Sequence, residues 1–123
     1  MTADLEIAFH GLDPSPAVEA AIRRHAEELE RFTDRLIGCR VVLEAVGQRH
    51  RKGSLYGVRI DLMVPDGPVV VNRQPGQHHA YEDVSVALHD AFDDARRALQ
   101  DHMRRLDGKV KRHEAPSIGR PVW

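Results

Sequence analysis

Apolar and polar residues alternate along three stretches of the chain and recur at helical spacing along two others. Leu5, Ile7 and Phe9 alternate with Glu6, Ala8 and His10, the period of a strand with one buried face. Residues 11–14 interrupt it. Ser15 then suits a helix N-cap, and Pro16 suits the first helical position, where its missing N–H costs nothing. Val18, Ile22, Ala26, Leu29 and Phe32 recur at three and four residues, so a helix is expected to about residue 33. Its other face carries Arg23, Arg24, Glu27, Glu28, Glu30 and Arg31. Pairs such as Glu27 and Arg31, one turn apart, support a solvated helix by a few tenths of a kcal/mol each.

Ile37, Cys39, Val41, Leu43 and Ala45 alternate with Gly38, Arg40, Val42 and Glu44, which predicts a second strand. Residues 47–54 form a polar, basic stretch expected to be a loop. Tyr56, Val58, Ile60, Leu62 and Val64 alternate with Gly57, Arg59, Asp61 and Met63 as a third strand. Pro65, Asp66, Gly67 and Pro68 predict a turn, with proline setting the first corner and Gly67 supplying a positive φ. A fourth strand from residue 69 to 72 or 73 completes a hairpin. A loop over 73–81 leads to residues 83–113, where Val84, Leu88, Ala91, Phe92, Ala95, Leu99, Met103, Leu106 and Val110 make one apolar stripe. Pro116, Gly119 and Pro121 mark residues 114–123 as an irregular tail.

The element order is β-α-β-β-β-α. The first two strands, joined by a helix, should be parallel through a right-handed crossover, and the rest follow by hairpins. One apolar face on each strand and one on each helix is satisfied by an α+β fold of two layers. A four-stranded sheet carries both helices on one face. Residues 1–113 are read as a single domain and 114–123 as its tail.

The chain has 123 residues and a formal net charge of −1, so overall charge gives no argument for nucleic acid; only local distribution can. The N-terminus lacks a signal peptide's basic start and apolar run, and no apolar run approaches ~18 residues. The lone Cys39 forms no internal disulfide and suits a reducing compartment, so a cytoplasmic location without membrane contact is expected.

Eight histidines raise the question of a metal. They are scattered, apart from the consecutive His78 and His79, and neither paired thiols nor an HExxH pattern accompanies them. No metal or cofactor is expected, and they are read as surface residues. His50, His78 and His79 are the set a metal reading would use. Asp90, Asp93 and Asp94 lie in the acidic first half of the long helix, where residues 82–94 hold no Lys or Arg. They are attributed to the helix dipole rather than to catalysis. No nucleophile–base arrangement or phosphate-binding Gly-rich loop occurs, so neither an enzyme nor a small-molecule substrate is expected.

Basic residues concentrate in three places. These are the first helix and its end (Arg23, Arg24, Arg31, Arg35), the loop at Arg49, Arg51 and Lys52, and the long helix from Arg96 onward. Lys109, Lys111 and Arg112 are explained by dipole complementation alone. The two helices side by side also make a possible phosphate-binding surface, and composition leaves these readings even. Few aromatic residues are interleaved, which favours recognition of RNA shape and backbone over stacking on bases.

Four stretches taken in order, LEIAFHGLDPSPAVEAAI, LERFTDRLIGCRVVLEA, KGSLYGVRIDLMVPDGPVVVNR and YEDVSVALHDAFDDARRALQDHMRR, resemble the ribosome hibernation promoting factor and ribosome-associated inhibitor A family, once called sigma-54 modulation proteins. The resemblance spans residue 4 to about 113. It implies the same β-α-β-β-β-α fold, like that of a double-stranded-RNA-binding domain. It implies a factor that binds the small ribosomal subunit in stationary phase or cold, lies in the mRNA and tRNA channel, and stops translation. By position, Arg97 matches the arginine of the family's Lys-Leu-x-Arg-Gln-Leu segment, and Arg104 and Arg105 follow as ribosomal RNA contacts. Arg96, Lys109, Arg24, Arg31, Arg51 and Lys52 are further candidates. Asp94 and Asp101 stand where short members carry Lys, and His25 and Glu28 likewise on the first helix, so the helical face is mixed. A C-terminal ribosome-pairing domain, as in long members, is not expected. The alternative is a protein-interaction module on the same fold that binds no ribosomal RNA.

Overall fold

The computed structural model describes residues 4–48, 54–73 and 83–114. Helix α1 (Pro16–Phe32) starts as its residue types require. The Ser15 hydroxyl accepts a hydrogen bond from the Val18 N–H at 3.3 Å, and Pro16 opens the helix. It ends at Thr33, which has extended backbone and whose N–H donates to the Leu29 carbonyl.

Strand β1 (Asp4–His10) pairs in parallel with β2 (Gly38–Gln48). β3 (Ser54–Met63) and β4 (Val69–Arg73) follow antiparallel, in the sheet order β1-β2-β3-β4. The register lines up three inward rows across the sheet. Leu5 meets Cys39, Leu62 and Val69; Ile7 meets Val41, Ile60 and Val71; Phe9 meets Leu43, Val58 and Arg73. The last row therefore ends in a cation on the helix-bearing face. Ile22, Ala26 and Leu29 from α1 are buried, as are Ala87, Leu88, Ala91, Phe92, Ala95 and Leu99 from α2 (Val84–Glu114), and they form one core with the sheet's inner rows. Each large aliphatic side chain so buried contributes roughly 1.5–3 kcal/mol. The expected two-layer α+β architecture is the one observed.

Three local expectations need correction. The loop expected at 47–54 gives way to strand at both ends, since β2 runs to Gln48 and β3 starts at Ser54. The backbone ladder continues past the last alternating apolar residue through a register shift between Ala45 and Gln48. The hairpin turn places its positive φ on Asp66 (63°), not on Gly67. With Pro65 at the first corner, Asp66 takes the left-handed position, which Asp tolerates better than most residues. Gly67 is needed for closeness instead: its N–H donates to the Val64 carbonyl at 2.9 Å, and an added Cβ would lie 2.9 Å from that same oxygen.

The third correction concerns the acidic half of α2. Asp83 caps the helix: its carboxylate accepts from the Ser85 N–H at 2.8 Å and its carbonyl from the Ala87 N–H. No acidic residue lies in the first turn proper. Asp90, Asp93 and Asp94 sit one to two turns further on, where the dipole effect has faded. Arginines account for them, as described below. The tail expected from residue 114 lies outside the described residues, except Glu114, which ends α2.

Candidate nucleic-acid interface

The helices lie side by side on the sheet and run in the same direction. His25 of α1 faces His89 and Phe92 of α2, while Arg35, just beyond α1, reaches Met103 and Asp107. On α1 the exposed Arg24 and Arg31 are seven residues apart, so they lie in one row two turns apart. On α2 the exposed Arg97 and Arg104 have the same spacing. Arg96 lines the groove between the helices together with Arg31. Arg105 falls on the opposite flank, beside Asp66, Pro68 and His102 at the β3–β4 turn. Of the expected contacts, the fold thus gathers Arg24, Arg31, Arg96, Arg97 and Arg104 around the two helices and separates Arg105 from them. Arg51, Lys52 and the Lys109 side chain lie outside the described residues.

Pairing reorders the candidates. Arg97 donates to Asp93 and, at 3.1 Å, to Asp94; Arg104 donates to Asp101 at 3.3 Å. These are pairs within one helix in which both arginines are exposed and only Asp94 is partly buried, worth a few tenths of a kcal/mol each, so a phosphate can displace them cheaply. Arg24, Arg31, Arg96 and Arg105 make no ion pair or hydrogen bond among the described residues. Asp94 has a second partner: it accepts from Arg73, the last inward residue of β4, at 2.8 Å, and Asp90 lies 3.8 Å from the same guanidinium. The carboxylate that stands where a Lys was expected thus ties α2 to the sheet edge.

The groove itself was not apparent from the sequence. Its lining includes His25, Glu28, Arg31, Phe32, His89, Phe92, Asp93 and Arg96, and it holds about 420 Å³. The His25 ring stacks on Phe92 with centroids 4.9 Å apart and planes 12° apart, and His89 meets it edge-on at 6.4 Å. Burial is the main cause holding the His25 imidazole below its ordinary pKa; Glu28 opposes that shift, and His89 and Arg24 add to it. Phe32, the last residue of α1, keeps 42% of its surface exposed. The signal was present as spacing: His25 and Phe32 are seven apart, and His89, Phe92 and Arg96 recur at three and four.

Among the described residues no three His, Cys, Asp or Glu side chains group as metal ligands; His50, His78 and His79 lie outside them. Cys39 is buried, and burial with nearby Asp61 pushes its thiol up to about 12, which leaves it protonated and unreactive at neutral pH. No described helix is long and apolar enough to cross a membrane.

Comparison with known proteins adds to this geometry. The family model described as "Sigma 54 modulation protein / S30EA ribosomal protein" matches residues 5–107. Among solved structures, the N-terminal domain of Protein Y from Thermus thermophilus is similar with a TM-score of 0.63 at 18% identity. The match covers 80% of this chain and 98% of that one. A ribosomal subunit interface protein from Coxiella burnetii is similar with a TM-score of 0.62 at 12% identity, covering 82% of this chain and 98% of the other. At these identities the two structures speak for the fold. No curated protein matches the chain.

Proposed function

This chain belongs to the sigma 54 modulation protein / S30EA ribosomal protein family, and from that premise we propose that it is a ribosome hibernation factor. It binds the small ribosomal subunit in the mRNA and tRNA channel and acts by occupancy, without covalent chemistry. The observation that carries this reading is the family match over residues 5–107, most of the chain. The contact surface is the helical layer. Arg24, Arg31 and Arg96 are its leading contacts, because they have no ion-pair or hydrogen-bond partner among the described residues to give up. Arg97 and Arg104 join once phosphate displaces Asp93, Asp94 and Asp101. Arg105 contributes least, lying by the β3–β4 turn.

One observation favours a second reading. The carboxylates among these arginines give the helical layer mixed charge, which suits a protein partner better than an RNA backbone. Adding the purified chain to a reconstituted translation reaction separates the two. The first reading expects inhibition together with co-purification on small subunits. Recovery of a protein partner with neither inhibition nor ribosomal RNA would favour the second.

A further inference from the structure

The groove between α1 and α2 combines three features that the backbone-binding rows do not. It exposes an aromatic ring, Phe32, at 42%. It is lined by two guanidiniums, Arg31 and Arg96, with no ion pair or hydrogen bond among the described residues. It also holds two carboxylates in unlike states: Asp93 is engaged by Arg97, whereas Glu28 makes no ion pair or hydrogen bond among the described residues. A single exposed phenylalanine is ordinary on a protein surface. Set beside Arg31 and Arg96 in a cleft of about 420 Å³, it defines a ligand shape. The ligand has a flat apolar face, one anionic end, and a polar edge able to donate a hydrogen bond to Glu28. A duplex backbone does not fit, because phosphates on every side would meet Glu28 and Asp93.

We propose that this groove binds one unpaired nucleotide of a single-stranded RNA segment. The base lies against Phe32, the phosphate lies between Arg31 and Arg96, and Glu28 accepts from an exocyclic amine of the base. The proposal rests on the RNA-binding reading of the helical layer and gives it a base-specific element. Carboxylates accept from the cytosine amino group, which uracil lacks, so cytosine binds better than uracil. Stacking on an aromatic side chain tolerates any base and gives roughly a five- to hundredfold gain over a ribose-phosphate without one.

The test uses the full chain and three end-labelled six-nucleotide RNAs: cytidylate, uridylate and an abasic strand, read by fluorescence anisotropy at low salt. Cytidylate should bind at least tenfold tighter than the abasic strand, with uridylate between them. Phe32→Ser should bring cytidylate down to the abasic level. Glu28→Gln should narrow the gap between cytidylate and uridylate, and Arg31→Gln with Arg96→Gln should weaken all three. Circular dichroism melts confirm that the variants, all at exposed or rim positions, are folded. Equal binding of cytidylate and the abasic strand, or full cytidylate binding by folded Phe32→Ser, would overturn the proposal. Co-sedimentation of the parent chain with small subunits is measured in parallel. Sedimentation without any base dependence rejects the groove alone. Base-dependent binding without sedimentation upholds the groove and rejects the ribosomal reading.

Discussion

Asp94 offers a quantitative test of how this fold is held and of what its helical layer gives up for stability. Its carboxylate accepts from Arg73 at 2.8 Å and from Arg97 at 3.1 Å. The Asp94 and Arg73 side chains are 26% and 31% exposed, so their pair is neither a free surface pair nor a dry one. Surface pairs contribute about 0–1 kcal/mol, and breaking a fully buried pair costs about 3–5 kcal/mol. Asp94→Asn keeps the shape and removes the charge, and Asp90, 3.8 Å from the same guanidinium, still screens it in part. A cost of about 1–1.5 kcal/mol follows, roughly 4–6 °C in Tm for a domain of this size. Asp101→Asn breaks only the exposed pair with Arg104 and should cost less than about 0.5 kcal/mol. Urea denaturation of both variants measures the difference. A cycle with Arg73→Met should return a coupling near 1 kcal/mol for residues 73 and 94. Ribosome binding should move the other way, since Asp94→Asn removes a negative charge beside Arg97. Equal stability losses at 94 and 101, or a coupling below about 0.3 kcal/mol, would refute the role given to Arg73.

Phe92 is buried between helix and sheet and stacks on His25, so Phe92→Ala should cost about 3–5 kcal/mol in the same assay; a near-neutral effect would misplace the stripe. His25 has a lowered pKa in the folded state, so below the unfolded value of about 6.5 the unfolded chain binds more protons. The stability that the neutral ring supports is therefore present above that pH and is lost as pH falls toward the folded pKa. The stability of the parent relative to His25→Phe should accordingly decrease between pH 7.5 and 5.5, and a gap independent of pH would contradict this. We propose residues 1–113 as one domain, so deleting 114–123, which lack apolar periodicity, should leave Tm within about 2 °C; a large loss would extend the domain into the tail.

The fold was largely legible because its signals are local. Alternation over 5–9, 37–45 and 56–64 marked the strands, Ser15 and Pro16 marked a helix start, and the connection lengths left one simple arrangement. Periodicity places Arg73 only at a strand end or loop margin, because its role depends on register: pairing with Val58 turns it toward the helices. Its partner Asp94 is 21 residues away, beyond the reach of any periodicity argument. The groove joins two helices separated by half the chain, so His25 and His89 looked merely scattered until the fold brought their rings to 6.4 Å. By contrast, the pairs of Arg97 and Arg104 with aspartates three and four residues earlier were readable from spacing alone. Those pairs move the emphasis from Arg97 and Arg104 to Arg24, Arg31 and Arg96.

The most direct measurement is co-sedimentation with purified small ribosomal subunits over a range of salt, comparing the parent with the combined Arg24→Gln, Arg31→Gln and Arg96→Gln variant. The parent should bind, with log affinity falling linearly against log salt. The variant should bind more weakly, with a slope shallower by about 2–3, since each lost phosphate contact removes ~0.7–0.9. A parent chain that fails to sediment with small subunits, or a folded variant whose slope matches the parent's, would contradict the account.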